Sequence, residues 1–304
     1  HQLEARLGPA RELMRSIMDT AQQTPKRIVL PEGELETVVR ASHAIVEEKL
    51  GTPILLGDPD VIRAVAEREE VDLEGVELLD PRKGDGDGLY ARRLFERRKR
   101  KGITQDSAER KLKDPLYYGA MMVDSGDADT LVAGANMSYP NALRPALHAI
   151  GMEPGVKSVA GLFMLVFQKQ LYFFAETTVS IDPTPEDLAE TAILTADFVR
   201  RLSINPRVGM ISFSNFGSAR HPESEKVRKA VEIVKDLRPD ITIDGEMQAD
   251  TAVVQDILKT RYPFSDLKRP ANVLVFPNLT AANASYKLLT RLGGATAIGP
   301  VLLG

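Results

Sequence analysis

Short apolar runs alternate with longer stretches of three-and-four spacing along this chain of 304 residues, and that alternation most restricts its fold. Lys26–Leu30, Pro53–Leu56 and Thr130–Ala133 read as short buried strands in the first half. Arg207–Ser212, Ile241–Ile243 and Asn272–Phe276 read the same way in the second. Helical patterns lie between them, at 34–48, from about Asp60, and at about 89–101, 104–112, 115–125 and 140–150. Asp182-Pro-Thr-Pro185 predicts a helix start with Thr184 as N-cap and Pro185 in the first turn. Strands that each feed a helix predict mainly parallel sheets covered on both faces, the α/β class. Val156–Phe167 and Gln170–Ile181, around Lys169, depart from this and predict an inserted hairpin.

The texture changes near Pro154-Gly155, which predicts two α/β domains. Leu13, Met14, Ile17, Met18 and Ala21 predict an amphipathic helix over 3–22, a segment of residues 1–22 set apart from both domains. Residues 23–155 plus 299–304 make the first domain and 156–298 the second. The chain opens on His1 instead of methionine, which reads as a piece of something longer.

A net charge of −4 leaves no basic excess for nucleic acid. Zero cysteines exclude a disulfide scaffold and a thiol nucleophile. No apolar run is long enough for a membrane span, and no signal peptide is legible, so a cytoplasmic location is expected. GxGxxG, the Gly-Lys-Ser/Thr phosphate loop and the Gly-x-Ser-x-Gly elbow are all missing.

Ligands of open α/β sheets gather beyond the carboxyl ends of strands. Four such places carry unusual turns. Gly134-Ala-Asn-Met-Ser138 precedes Arg144, whose guanidinium can hold phosphate bidentately. Ser212-Phe-Ser-Asn-Phe-Gly-Ser218 is rich in hydroxyls, and its backbone N–H groups could cradle an anion. Asp244-Gly-Glu246, leading to Asp250, reads as an acid–base or metal set, or more simply as helix caps. Pro277-Asn278 opens a helix of small residues that carries Arg291 about three turns later. The bland readings are a capped loop for each turn, a dipole contact for Arg291, and a solvated face for the charge run Glu96–Lys101. His1, His43, His148 and His221 make no metal-ligand spacing.

Taken together, Pro31-Glu-Gly-Glu34, Asp114-Pro-Leu-Tyr-Tyr118, Gly126-Asp-Ala-Asp129, Leu143-Arg-Pro145, the Ser212–Ala219 loop, Asp244-Gly-Glu246, Ala271-Asn-Val-Leu274, Tyr286-Lys287 with Arg291, and Ile298-Gly-Pro300 resemble the phosphate acetyltransferase family. The resemblance runs from Arg27 to Gly304. It implies two α/β domains with a cleft between them that holds coenzyme A and acetyl phosphate, and a dimeric assembly. It also implies that Arg98 and Arg144 contact phosphate, and that Arg291 helps hold coenzyme A. The expected contact set for acetyl-CoA or phosphate is Arg98, Arg144, Ser212, Ser214, Asn215, Gly217, Ser218, Asn278, Asn283 and Arg291, with no catalytic side chain and no metal site among them.

There are departures. The family carries a Ser-Arg-Gly segment and then an aspartate a few residues beyond the Gly-Pro motif, and this sequence stops at Gly304. Phe276-Pro-Asn-Leu-Thr280 stands where the family usually has Phe-Pro-Asp-Leu-Asn. Asn136-Met-Ser-Tyr-Pro-Asn141 replaces a His-Ser-Thr type of loop. With Tyr262-Pro-Phe264 and the leading helix, these resemble the C-terminal domain of hybrid NADP-dependent malic enzymes. The expectation is therefore a regulatory domain that binds acetyl-CoA and inhibits an absent N-terminal malic enzyme part, to which NADP and a divalent metal would belong. The alternatives are an active phosphate acetyltransferase and a structural dimerisation module.

Overall fold

The computed structural model describes residues 9–84, 86, 88–168 and 170–304. The start of the expected 3–22 helix, parts of the Gly84–Gly88 loop, and Lys169 at the hairpin tip lie outside the described residues. Two compact units emerge: Ser16–Gly151, and Met152–Gly304 with the described residues before Ser16.

The chain enters through helix α1 (Pro9–Gln23). In the first unit, strands β1 (Lys26–Leu30), β2 (Gly51–Leu56), β3 (Glu77–Leu79) and β4 (Thr130–Leu131) form one sheet in the order β3-β2-β1-β4, parallel throughout. Helices α2 (Glu36–Glu47) and α3 (Pro59–Arg68) connect the first three strands. Asp58 caps α3 through Asp60 N–H, with Pro59 in the first turn. Between β3 and β4 come α4 (Leu89–Arg98), a 3₁₀ turn at Lys99–Lys101, α5 (Gln105–Lys111) and α6 (Pro115–Ser125). Helix α7 (Tyr139–Ala149) closes the unit.

Helix α6 is buried from Leu116 to Met122 and lies close over the sheet. A Cβ at Gly119 would come within 3.2–3.3 Å of the Leu131, Val29 and Leu56 side chains, which would have to give by a few tenths of an ångström to admit it. Burial of α6 fixes Tyr117 and Tyr118 on its first turn. Arg97 then fastens the end of α4 to the end of α7, donating to the carbonyls of Ala149 and Ile150 while its Nη2 holds Asp124 at 2.6 Å.

The second unit holds a six-stranded sheet in the order β10-β5-β6-β9-β7-β8. Its strands are β5 (Ala160–Val166), β6 (Leu171–Ala175), β7 (Arg207–Ile211), β8 (Thr242–Met247), β9 (Val273–Val275) and β10 (Thr296–Leu303). β5 and β6 are an antiparallel pair, as the paired apolar runs predict, and β6, β9, β7 and β8 run parallel. Helices α8 (Pro185–Arg201) and α9 (Pro222–Leu237) pack on one core centred on Leu162, Phe173, Leu188 and Val208. Thr184 and Asp187 close a reciprocal capping box on α8. The remaining helices are α10 (Ala249–Val253), α11 (Gln255–Arg261) and α12 (Leu279–Arg291).

Two expectations are corrected here. Residues 299–304 were placed with the first half of the chain, yet β10 pairs antiparallel with β5, Leu303 opposite Ala160, inside the second sheet. As an edge strand β10 pairs along one side only, and its register shifts between Ile298 and Val301. Strand β8 also runs on past Ile243 to Met247, so Asp244 and Glu246 lie within a strand and not in a turn. Among the described residues no helix is long and apolar enough to cross a membrane.

Candidate functional site

Two groups of candidate residues fall in the two units. In the first unit, Arg98 ends α4 and Arg144 lies in the middle of α7. Both act on the same group, the half-buried ring of His148, as do Lys111 at the end of α5 and Lys101 of the 3₁₀ turn. The charges of Arg98 and Arg144 are thus both felt at one ring, with those of two lysines that the sequence alone does not single out. Arg98 is half-buried, and its Nε is sealed from solvent with no hydrogen-bond partner. That is costly for a guanidinium unless something accepts from it. Arg144 is exposed. Of the charge run around Arg98, Arg97 is a clamp between helices and Lys99 pairs with Glu96.

The spacing of the histidines, which suits no metal, gives His148 no distinction in the sequence. The signal that finds it is its position four residues after Arg144, which puts both on one face of α7. Its Nδ1 is hydrogen-bonded to the Tyr117 hydroxyl at 2.8 Å. Burial, then the charges of Arg98, Lys111, Arg144 and Lys101, hold its pKa below the ordinary histidine value. A base whose pKa is depressed in the folded state contributes stability above its unfolded value, and that contribution is lost as pH falls through the folded one. The unfolding midpoint should therefore drop between about pH 7 and about pH 5, and His148→Asn should flatten part of that drop. Superimposable thermal melts of the two proteins across that range would refute it.

The Gly134–Ser138 loop before α7 is not open to a ligand anion through its first amides. Glu32 Oε2 accepts from Gly134 and Ala135 N–H at 2.7 and 2.9 Å, and its Oε1 accepts from Asn136 N–H at 2.8 Å. Nothing in the sequence signals this pairing across a hundred residues.

In the second unit, β7, β8 and β9 run side by side, so the turns that follow them share one edge of the sheet. The Ser212–Ser218 loop was expected to cradle an anion with its amides. The structure corrects this, because Glu246 already fills that place. Glu246 is fully buried; its Oε1 accepts from Gly217 N–H at 2.6 Å and from the Ser214 hydroxyl at 2.9 Å. Its main-chain carbonyl takes Phe216 N–H. Ser218 Oγ takes Asn215 N–H, Ser214 Oγ takes Ala219 N–H, Asn215 C=O takes Ser218 N–H, and Ser212 Oγ takes Ser214 N–H at 3.3 Å. Asn215 is bonded both ways with Gln248. Ser212, Ser214 and Asn215 are buried, while Gly217 and Ser218 are exposed.

The helix-cap reading of the acidic set also fails for two of its three members. Asp244 Oδ2 accepts from the Ser265 hydroxyl at 2.6 Å and from Asp266 N–H at 2.8 Å, tying a distant loop to β8. Glu246 serves the loop just described, and only Asp250 stays at a helix start, taking Thr251 N–H. Among the described residues no three His, Asp or Glu side chains form a group that could hold a metal ion.

Asn278 is the N-cap of α12, its Oδ1 accepting from Ala281 N–H at 2.9 Å. Asn283 lies half-buried on the same helix. Arg291 is exposed in the last turn, roughly 20 Å along the axis from Asn278. The structure does not bring Arg291 to the turn that begins its own helix.

A family model described as phosphate acetyl/butaryl transferase matches residues 12–304. The phosphate acetyltransferase of Clostridium acetobutylicum is 39% identical over 300 residues, which cover 96% of this chain and 90% of that protein. That of Thermoanaerobacterium thermosaccharolyticum is 40% identical over 299 residues, with the same coverage. Among solved structures, a phosphotransacetylase from Streptococcus pyogenes matches 97% of this chain and 90% of its own, with a TM-score of 0.89 at 36% identity. Near-full-length likeness to acetyltransferases overturns the reading as the regulatory domain of a malic enzyme. The oxidoreductase, NADP and N-terminal malic enzyme partner readings fall with it.

Proposed function

The chain belongs to the phosphate acetyl/butaryl transferase family, and we propose that it is an active phosphate acetyltransferase, exchanging the acetyl group between coenzyme A and inorganic phosphate. The observation that carries this is the sealed and unpartnered Arg98 Nε, beside the positive charge that Arg98, Lys101, Lys111 and Arg144 together bring to bear on His148. Such a group suits a small dianion. Bidentate N–H donors fix its orientation, and concentrated positive charge offsets what develops on its oxygens during transfer.

The reaction balances without a covalent enzyme intermediate. A phosphate oxygen attacks the thioester carbonyl, the C–S bond breaks, and the proton of hydrogen phosphate ends on the coenzyme A sulfur. Positioning and charge stabilisation are what the residues of this chain supply. Ser218, Gly217 and Arg291 are the members of the second group exposed enough to meet acetyl-CoA directly. Because Arg291 stands far along α12 from the strand-end turns, one ligand touching both must be extended, as coenzyme A is. Ser212, Ser214, Asn215 and Asn278 act by holding the turns in shape, and Asn283 lines the start of α12.

The test is release of free coenzyme A thiol from acetyl-CoA with and without phosphate. Release that saturates with phosphate is the expected result. Binding of acetyl-CoA with no phosphate-dependent thiol would overturn the activity.

A further inference from the structure

We infer that His148 is a further residue of the phosphate site, taking up a proton as the dianion binds and donating a hydrogen bond to it from Nε2; this rests on the reading that Arg98 and Arg144 hold phosphate.

Four observations converge on the ring. It lies one helical turn after Arg144 on α7, so a ligand held by that guanidinium is within reach of it. The Tyr117 hydroxyl occupies Nδ1 at 2.8 Å, which fixes the ring plane and leaves Nε2 as the ring atom available to a ligand. Tyr117 is itself held by burial on α6, and Lys111 Nζ stands 4.8 Å from its ring centroid. Finally, Arg98 brings a buried Nε that nothing in its surroundings accepts from.

The charges acting on His148 are Arg98 of α4, Lys101 of the 3₁₀ turn, Lys111 of α5 and Arg144 of its own helix, and the Tyr117 hydroxyl of α6 is its hydrogen-bond partner. Nearby acids are committed elsewhere: Asp124 to Arg97, and Asp114 to the N-terminus of α6 through Leu116 N–H. Burial and four cations keep the imidazole neutral. A dianion among those cations reverses the balance, because it offsets their repulsion and itself attracts a proton to the ring. Once protonated, both ring nitrogens are donors, Nδ1 to the Tyr117 oxygen and Nε2 to the anion. Binding and protonation are then linked, and each must strengthen the other by the same factor.

Sulfate is the probe, since it stays a dianion where phosphate would itself titrate. The chain has four histidines, so loss of one ring C–H signal in His148→Asn or His148→Gln identifies the resonance. Its titration midpoint by NMR should rise by about one unit or more at saturating sulfate, and Arg144→Ala should remove most of that rise. A midpoint unmoved while sulfate binds, measured by equilibrium dialysis, would overturn the role of His148 and leave the acetyl-transfer reading intact. Absence of both sulfate and phosphate binding would overturn the two together. A shifted midpoint without phosphate-dependent thiol release would keep the proton-linked anion site and remove only the activity.

Discussion

Arg144→Ala will raise the phosphate concentration needed for half-maximal thiol release by roughly 10- to 150-fold, and will leave the melting temperature almost unchanged. A hydrogen bond to a charged partner is worth about 1.5–3 kcal/mol, and each ~1.4 kcal/mol is tenfold. The guanidinium is exposed, so removing it takes nothing from the core, and the stability change should stay within about 0.5 kcal/mol. Arg144→Lys should recover only part of the loss, because an ammonium keeps the charge but not the planar fork. The readout is the phosphate KM at saturating acetyl-CoA, with a thermal melt as control. An unchanged phosphate KM takes Arg144 out of the site. A raised KM with a large fall in melting temperature would mean that the side chain supports the fold instead.

The fold was legible because its signals are local. The 3.6 and 2.0 periodicities, the Thr184 box on α8, and the paired apolar runs of β5 and β6 each sit within a few residues of sequence. What the sequence did not disclose are contacts between residues far apart in it. Strand β10 joins β5 across more than a hundred residues, Glu32 seizes the amides at 134–136 from a similar distance, and Glu246 reaches back to 214–217. For the Ser212–Ser218 loop the sequence points to amides that could cradle a ligand anion, but a carboxylate of the chain itself, Glu246, takes the place. Arg98 and Arg144 were reached by different routes, one by resemblance and one by its place after a glycine loop. The sequence places Arg144 one turn before His148, and the charge of Arg98 reaches the same ring only once the chain is folded.

The second large effect concerns Glu246, and it separates a structural carboxylate from a chemical one. Glu246→Ala should cost about 2–5 kcal/mol, because the Ser214 hydroxyl and Gly217 N–H lose their acceptor at a buried position and a cavity opens beside them. The unfolding transition should fall by roughly 5–15 °C for a unit of this size. Glu246→Gln makes the argument sharper. Only Oε1 accepts hydrogen bonds; Oε2 has no hydrogen-bond partner, and Arg228 Nε stands 3.9 Å from it. An amide can therefore place its oxygen where Oε1 is and its NH₂ where Oε2 is, keeping both loop bonds. The half-exposed Arg228 loses its attraction to a fully buried carboxylate, but the fold no longer has to bury that charge, and the two changes oppose each other. The glutamine variant should thus lie within about 1 kcal/mol of the parent and retain its affinity for acetyl-CoA. If glutamine instead abolished thiol release at full stability, Glu246 would be acting through its charge or its proton, and the loop-holding role would be wrong. If alanine left both stability and acetyl-CoA binding untouched, the order of the Ser212–Ala219 loop would not depend on this carboxylate at all.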